Sequence, residues 1–103
     1  MSPPSLRPSE LDIIRTVFER HPELTLVKLF GSRAKGTERP ESDVDLALWG
    51  AVDALAAESI AAELDELPLP YHYDVKAFAS IELDSLREHI ERVGITIFPL
   101  RGP

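Results

Sequence analysis

Two aspartates one residue apart, Asp43 and Asp45, sit in the otherwise apolar run DVDLALW at residues 43–49. In an extended chain, residues two apart project to the same face with Cα atoms ~6.5–7 Å apart. The two carboxylates therefore share a face, while Val44, Leu46 and Leu48 point the other way, toward a packed core. Like charges held side by side on a half-buried strand repel each other and lose hydration. One chemistry that turns this cost to use is binding of a hard divalent cation. Mg²⁺ takes oxygen ligands, keeps several waters, and is usually held by one or two carboxylates together with substrate phosphates. The plain alternative is that both aspartates lie at a frayed strand start and reach water, since Asp is a poor strand residue.

Upstream, Gly31 directly follows an apolar segment, where a missing side chain lets the backbone approach a ligand closely. Ser32 offers a hydroxyl and, at a helix start, unpaired N–H groups with the positive end of a dipole, which suits an anion. Together with the paired aspartates this points to a phosphate-bearing substrate. A Walker P-loop is excluded, because GSRAKG lacks the Gly-Lys-Ser/Thr ending at the required spacing.

These residues need elements to position them. Residues 1 to 8 carry three prolines and read as a loose tail, leaving 9 to 103 as a single domain. Ser9 reads as a helix N-cap with Asp12 in the capping-box position. Leu11, Ile14, Val17 and Phe18 fall on one face of that helix, and His21-Pro22 ends it. Leu24 to Phe30 reads as a strand, followed by a helical turn near Ser32 and a second strand over 43–49. From Val52 to Leu67, the positions Val52, Leu55, Ile60, Leu64 and Leu67 follow helical spacing, with Asp53, Glu58, Glu63 and Glu66 available to solvent. Pro68 and Pro70 close that helix. Tyr71 to Phe78 reads as a third strand. Leu83, Leu86, Ile90 and Val93 mark a last helix, with Gly94 as its C′ cap. A short strand from Ile95 to Leu100 completes an α/β (α+β) order: a small mixed sheet of about four strands flanked by helices.

Composition narrows the partners. Eighteen acids against 11 bases give a formal net charge of −7, which disfavours direct nucleic-acid binding through phosphates. There is no cysteine, so disulfides and thiolate chemistry are excluded. No apolar run approaches the ~20 residues that span a bilayer, and MSPPSLRPS has no signal-peptide core. The expected location is cytoplasmic, with no membrane partner.

Gly31-Ser32, ten residues, then Asp43-x-Asp45 resembles the G-S-x10-D-x-D signature of nucleotidyltransferases of the DNA polymerase β type. The chain is most similar to the minimal nucleotidyltransferases, which are little more than the catalytic core. The resemblance implies a third carboxylate on a later strand, and YHYDVKAF supplies Asp74. For Asp74 to join the pair, strands one and two must be antiparallel, and strands two and three parallel with the acidic helix as crossover.

The reaction so implied is displacement at the α-phosphorus of ATP, with two Mg²⁺ ions held by Asp43, Asp45 and Asp74 and pyrophosphate as leaving group. Asp74 is alternatively a general base. Gly31 and Ser32 would cradle the β- and γ-phosphates, with Arg33 grouped beside them as a nucleotide contact. Arg33 and Lys35 read equally as surface residues on a short turn. Lys76, on the face of Asp74, would neutralise the carboxylates or touch a phosphate. His72 reads as a surface residue, Trp49 as packing, and His21 and His89 as a helix-end and an exposed helix-face residue.

Larger members of the superfamily carry further domains that bind the acceptor, and none is expected here. The resemblance therefore implies a protein acceptor: a HEPN-type helical toxin, in a hetero-oligomer, neutralised by transfer of AMP to a tyrosine hydroxyl. Two alternatives stand beside it: a catalytically idle module that neutralises its partner by occlusion, and a transferase acting on a small molecule or nucleic acid.

Overall fold

The computed structural model describes residues 6–39 and 42–99. Their element order is α1 (Pro8–Glu19), β1 (Leu24–Phe30), α2 (Ser32–Lys35), β2 (Val44–Gly50), α3 (Ala54–Asp65), β3 (Tyr73–Ala77), a 3₁₀ turn (Phe78–Ser80), α4 (Asp84–Val93) and β4 (Ile95–Phe98). The four strands form one mixed sheet in the order β3-β2-β1-β4. β1 is antiparallel to both β2 and β4. β2 and β3 are parallel and joined through α3, as the position of Asp74 required.

Period-two alternation divides the sheet into two faces. Val27, Leu29, Val44, Leu46 and Leu48 are fully buried and join Ile14, Val17 and Phe18 of α1 and Ile60 and Leu64 of α3 in the main core. The opposite face carries a smaller cluster of Phe30, Ala47, Phe78, Ile81 and Ile90, with Trp49 and Leu86 against it. Asp45 belongs to this second face by alternation. One sheet thus separates a large packed layer from a thinner layer in which charged groups can reach solvent. Among the described residues no helix is long and apolar enough to cross a membrane.

Several boundaries differ from the sequence expectation for identifiable reasons. Leu6 is buried in the main core and Pro8 opens α1, so the expected loose tail does not extend over residues 6 to 8; residues 1 to 5 lie outside the described residues. The helix is not capped by Ser9. Arg7 is the N-cap and Pro8 occupies the first position, where its fixed φ and missing N–H are tolerated best. Glu10, three residues past the cap, accepts the Arg7 backbone N–H at 3.0 Å. Asp12 instead pairs with Arg15 at 3.3 Å.

Asp53 is not a bystander on a solvent face. It caps α3 by accepting the Ala56 N–H at 2.8 Å. Leu55 departs from its apolar stripe and stands 70% exposed. β2 runs one residue later than expected, so Asp43 immediately precedes it. β3 is shorter than the apolar run, because Phe78 already turns into the 3₁₀ segment.

Gly94 ends α4 with φ −63° and ψ 139°, not in the left-handed region. Its need for glycine is steric: a Cβ there would collide with the Ile90 carbonyl oxygen and come within 3.0 Å of Lys28 Cδ. The final strand ends at Phe98, and Leu100 lies outside the described residues.

Candidate active site

Gly31 links the end of β1 to α2 with φ 74° and ψ −155°, a backbone region that essentially only glycine occupies. Its carbonyl accepts the Ala34 and Lys35 N–H groups at 3.2 and 3.1 Å, so the chain turns from strand to helix at once. A second constraint acts at the same residue. A Cβ on residue 31 would collide with Asp45 Oδ2 and lie 3.2 Å from Asp45 Cγ. The glycine and the aspartate carboxylate therefore share one small volume. Ser32 opens α2 and is half-buried, and none of the hydrogen bonds among the described residues uses its hydroxyl.

Sheet register assembles the rest. Asp45 is opposite Phe30 on β1 and opposite Asp74 on β3. The end of strand one and the starts of strands two and three meet here. Burial raises the Asp45 carboxyl from 3.8 to about 6, and the negative charges of Asp74 and then Asp43 push in the same direction, against a smaller opposing pull from Lys76. A carboxyl so placed is held reluctantly as an anion until a cation arrives. Asp43, just before β2, is exposed. Lys76 Nζ donates to Asp74 Oδ1 at 3.2 Å, the first of the two roles expected for it.

The fit to magnesium can be judged from this donor set. Among the described residues no three His, Cys, Asp or Glu side chains are already gathered as a cation cage. Mg²⁺ seldom uses an all-protein cage and is satisfied by one or two carboxylates with substrate phosphates and water. Hard oxygens from Asp45 and Asp74 on neighbouring strands, with Asp43 beside them, meet that requirement.

Arg33 corrects one of its two sequence expectations. It is not a surface residue. Only 5% exposed, it donates from Nε and Nη2 to the Ser42 carbonyl at 3.2 and 3.0 Å. Its guanidinium lies 4.7 Å from the centre of the Tyr71 ring. Tyr71 in turn donates its hydroxyl to the Glu10 carboxylate at 2.8 Å. Arg33 thus ties the far end of the loop, just before Asp43, to α2 and to the approach of β3. Sequence carried no local signal for this, because Arg33 and Tyr71 are joined only by folding.

The remaining candidates lie around the site. His72 is exposed and its carbonyl accepts the Val44 N–H at 2.8 Å. Trp49 stacks on Phe78, with ring centres 4.4 Å apart, and Lys28 Nζ lies 5.6 Å from the centre of the Trp49 ring, which is a packing role. His89 is partly buried and edge-on to Phe30 at 6.3 Å, rather than on an exposed helix face.

A mixed α/β sheet carrying a Gly-Ser turn against Asp45, with Asp43 just before the same strand and a third carboxylate on the parallel neighbour, is the arrangement of the nucleotidyltransferase class of folds. A family model described as Polymerase beta, Nucleotidyltransferase matches residues 12–100, and the chain belongs to that family. It is 32% identical over 94 residues to a probable protein adenylyltransferase MntA of Haemophilus influenzae, covering 89% of this chain and 82% of that protein.

Among solved structures, a toxin–antitoxin complex with AMP-PNP superposes with a TM-score of 0.74 at 26% identity, over 88% of this chain and 74% of the other. A complex of a tri-AMPylated Shewanella oneidensis HEPN toxin with its MNT antitoxin gives a TM-score of 0.69 at 21% identity, over 92% and 74%, a likeness of fold.

Proposed function

We propose that this chain transfers AMP from ATP to a hydroxyl, a tyrosine by preference, of a HEPN-type partner protein, and is the antitoxin of that pair. The observation that carries the reading is the shared volume of Gly31 and Asp45, with Asp74 opposite on the parallel strand. Ordinary packing does not require a carboxylate pressed against a strained glycine. The similarity to a probable protein adenylyltransferase and to a toxin–antitoxin complex with AMP-PNP supports this choice of substrate and partner.

In this reading Asp43, Asp45 and Asp74 would hold two Mg²⁺ ions, which when bound supply positive charge to the attacking and leaving oxygens. Gly31 lets the β- and γ-phosphates approach the backbone, and the Ser32 hydroxyl donates to them. The acceptor oxygen attacks the α-phosphorus, its proton passes to the Asp74 carboxylate, and pyrophosphate leaves. Arg33 acts by fixing the loop that leads into Asp43, not by touching nucleotide.

The test pairs wild type with Asp43→Asn/Asp45→Asn in Mg²⁺, α-labelled ATP and the HEPN-type protein of the same genome, followed by intact-mass measurement of that partner. Asparagine keeps the volume and is a far poorer ligand. The expected loss is ~4 kcal/mol of transition-state stabilisation, roughly a thousandfold in rate. A second reading, neutralisation by occlusion, draws on the Lys76–Asp74 ion pair, which already occupies one carboxylate. Full neutralisation by the double mutant with no adduct in either sample would establish that reading instead.

A further inference from the structure

A groove of about 370 Å³ opens beside β3, the edge strand next to the candidate site. Its apolar lining comes from Ala57 of α3, Val75 and Ala77 of β3, Ile81 and Leu83 between the 3₁₀ turn and α4, and Leu86 in the first turn of α4. The large apolar side chains left exposed among the described residues are Leu55 at 70% and Leu83 at 65%. Leu83 lines the groove, and Leu55 follows Ala54, which also lines it. Single exposed leucines are ordinary. Leu83, exposed at an apolar groove on a sheet edge, marks an interaction surface.

Two further features say what the groove takes. The first is continuity with the site: Lys76 lines the groove and its Nζ is bonded to Asp74. Through Lys76 the groove therefore adjoins the carboxylate to which an acceptor proton would go. The second is charge. The groove's other charged members, Glu58 and Glu82, are exposed and form no ion pair among the described residues, while the one cation is already spent on Asp74. The chain as a whole is acidic, at −7.

We propose that this groove seats the acceptor-bearing segment of the protein substrate, a segment with apolar side chains set among Val75, Ala77 and Leu83 and with Lys or Arg facing Glu58 and Glu82. The proposal rests on the transferase reading above and adds where the acceptor docks and what flanks it. Apolar anchors supply affinity, the glutamates select against acidic segments, and Lys76 marks the end where the hydroxyl must arrive.

The test uses the ¹⁵N-labelled full chain and a synthetic peptide carrying a tyrosine between two leucines with a lysine at each end. Amide resonances of Val75, Ala77, Leu83 and Leu86 should move on titration. Replacing the peptide leucines by serine, or its lysines by glutamate, should weaken binding about tenfold or more. Leu83→Asp should abolish the shifts while keeping the thermal stabilisation by Mg²⁺-ATP. Absence of groove shifts at millimolar peptide, or equal shifts with the serine peptide, overturns the proposal. Shifts at the same amides that grow with protein concentration alone assign the groove to a second copy and also overturn it. Peptide shifts in a chain that shows no Mg²⁺-ATP stabilisation leave the docking groove standing and sink the transferase reading.

Discussion

The Asp45 carboxylate occupies the space that any side chain on Gly31 would claim. Residue 31 is thereby constrained twice, by its backbone angles and by its neighbour on β2. Gly31→Ala should cost ~1–3 kcal/mol for the strained backbone alone, and more if Asp45 is displaced. The expected outcome is a lowered Tm together with loss of the Mg²⁺-ATP stabilisation. A variant of wild-type Tm that still binds nucleotide would show that the turn relaxes freely and that the close fit is incidental.

Asp45 should make the metal-free protein less stable as pH rises. Its folded-state carboxyl lies at about 6 against 3.8 for the ordinary group, so the folded chain binds the proton more tightly than the unfolded one. The favourable contribution is present in full below about 3.8 and is lost as pH climbs through about 6. The whole shift would amount to ~3 kcal/mol, and screening of a partly exposed carboxyl beside Asp43, Asp74 and Lys76 reduces this to ~1 kcal/mol. Asp45→Asn should therefore raise the metal-free Tm by about 4–8 °C near pH 7.5 and leave it unchanged near pH 4. An equal gain at both pH values would assign the effect to packing.

Ser32 isolates the phosphate cradle. Its hydroxyl has no protein partner among the described residues, so Ser32→Ala should leave the Tm unaltered. Loss of one donor to a charged phosphate should weaken Mg²⁺-ATP binding by ~1.5–3 kcal/mol, about ten- to a hundredfold. Calorimetric titration reads this directly. Unchanged affinity would leave Ser32 with no role beyond opening α2.

Arg33 should matter for the fold more than for nucleotide contact. Arg33→Met retains much of the stem and removes two hydrogen bonds to the Ser42 carbonyl and the contact with Tyr71. The expected loss is ~2–4 kcal/mol from the orphaned carbonyl and the missing stacking, seen in urea unfolding. If stability were kept and only ATP affinity fell, Arg33 would be a phosphate ligand after all.

Local pattern was enough to place most elements and the two ends of the site. The alternation in DVDLALW put Val44, Leu46 and Leu48 on one face and both aspartates on the other, and the structure buries those three residues completely. The turn after Phe30 was legible because Gly-Ser is common at strand-to-helix turns, and it pointed to phosphate only together with the paired aspartates. The strand directions followed from requiring Asp74 to meet Asp45. The alternation is a property of spacing, which the backbone converts to direction without help from distant parts of the chain; the strand directions rested on the third carboxylate that the resemblance implied.

What folding alone decided involves residues far apart in sequence. The start of α1 depended on Pro8 and on Glu10 reaching back to Arg7, a choice among several polar residues that no spacing rule ranks. The burial of Arg33 depended on Ser42 and Tyr71 coming to it. Leu55 and Leu83 satisfy the helical apolar pattern yet remain outside the core, and among the described residues β3 is an edge of the sheet. Periodicity reports which face of an element is apolar. Only the assembled sheet determines whether anything lies opposite that face, and here the uncovered edge adjoins the carboxylates.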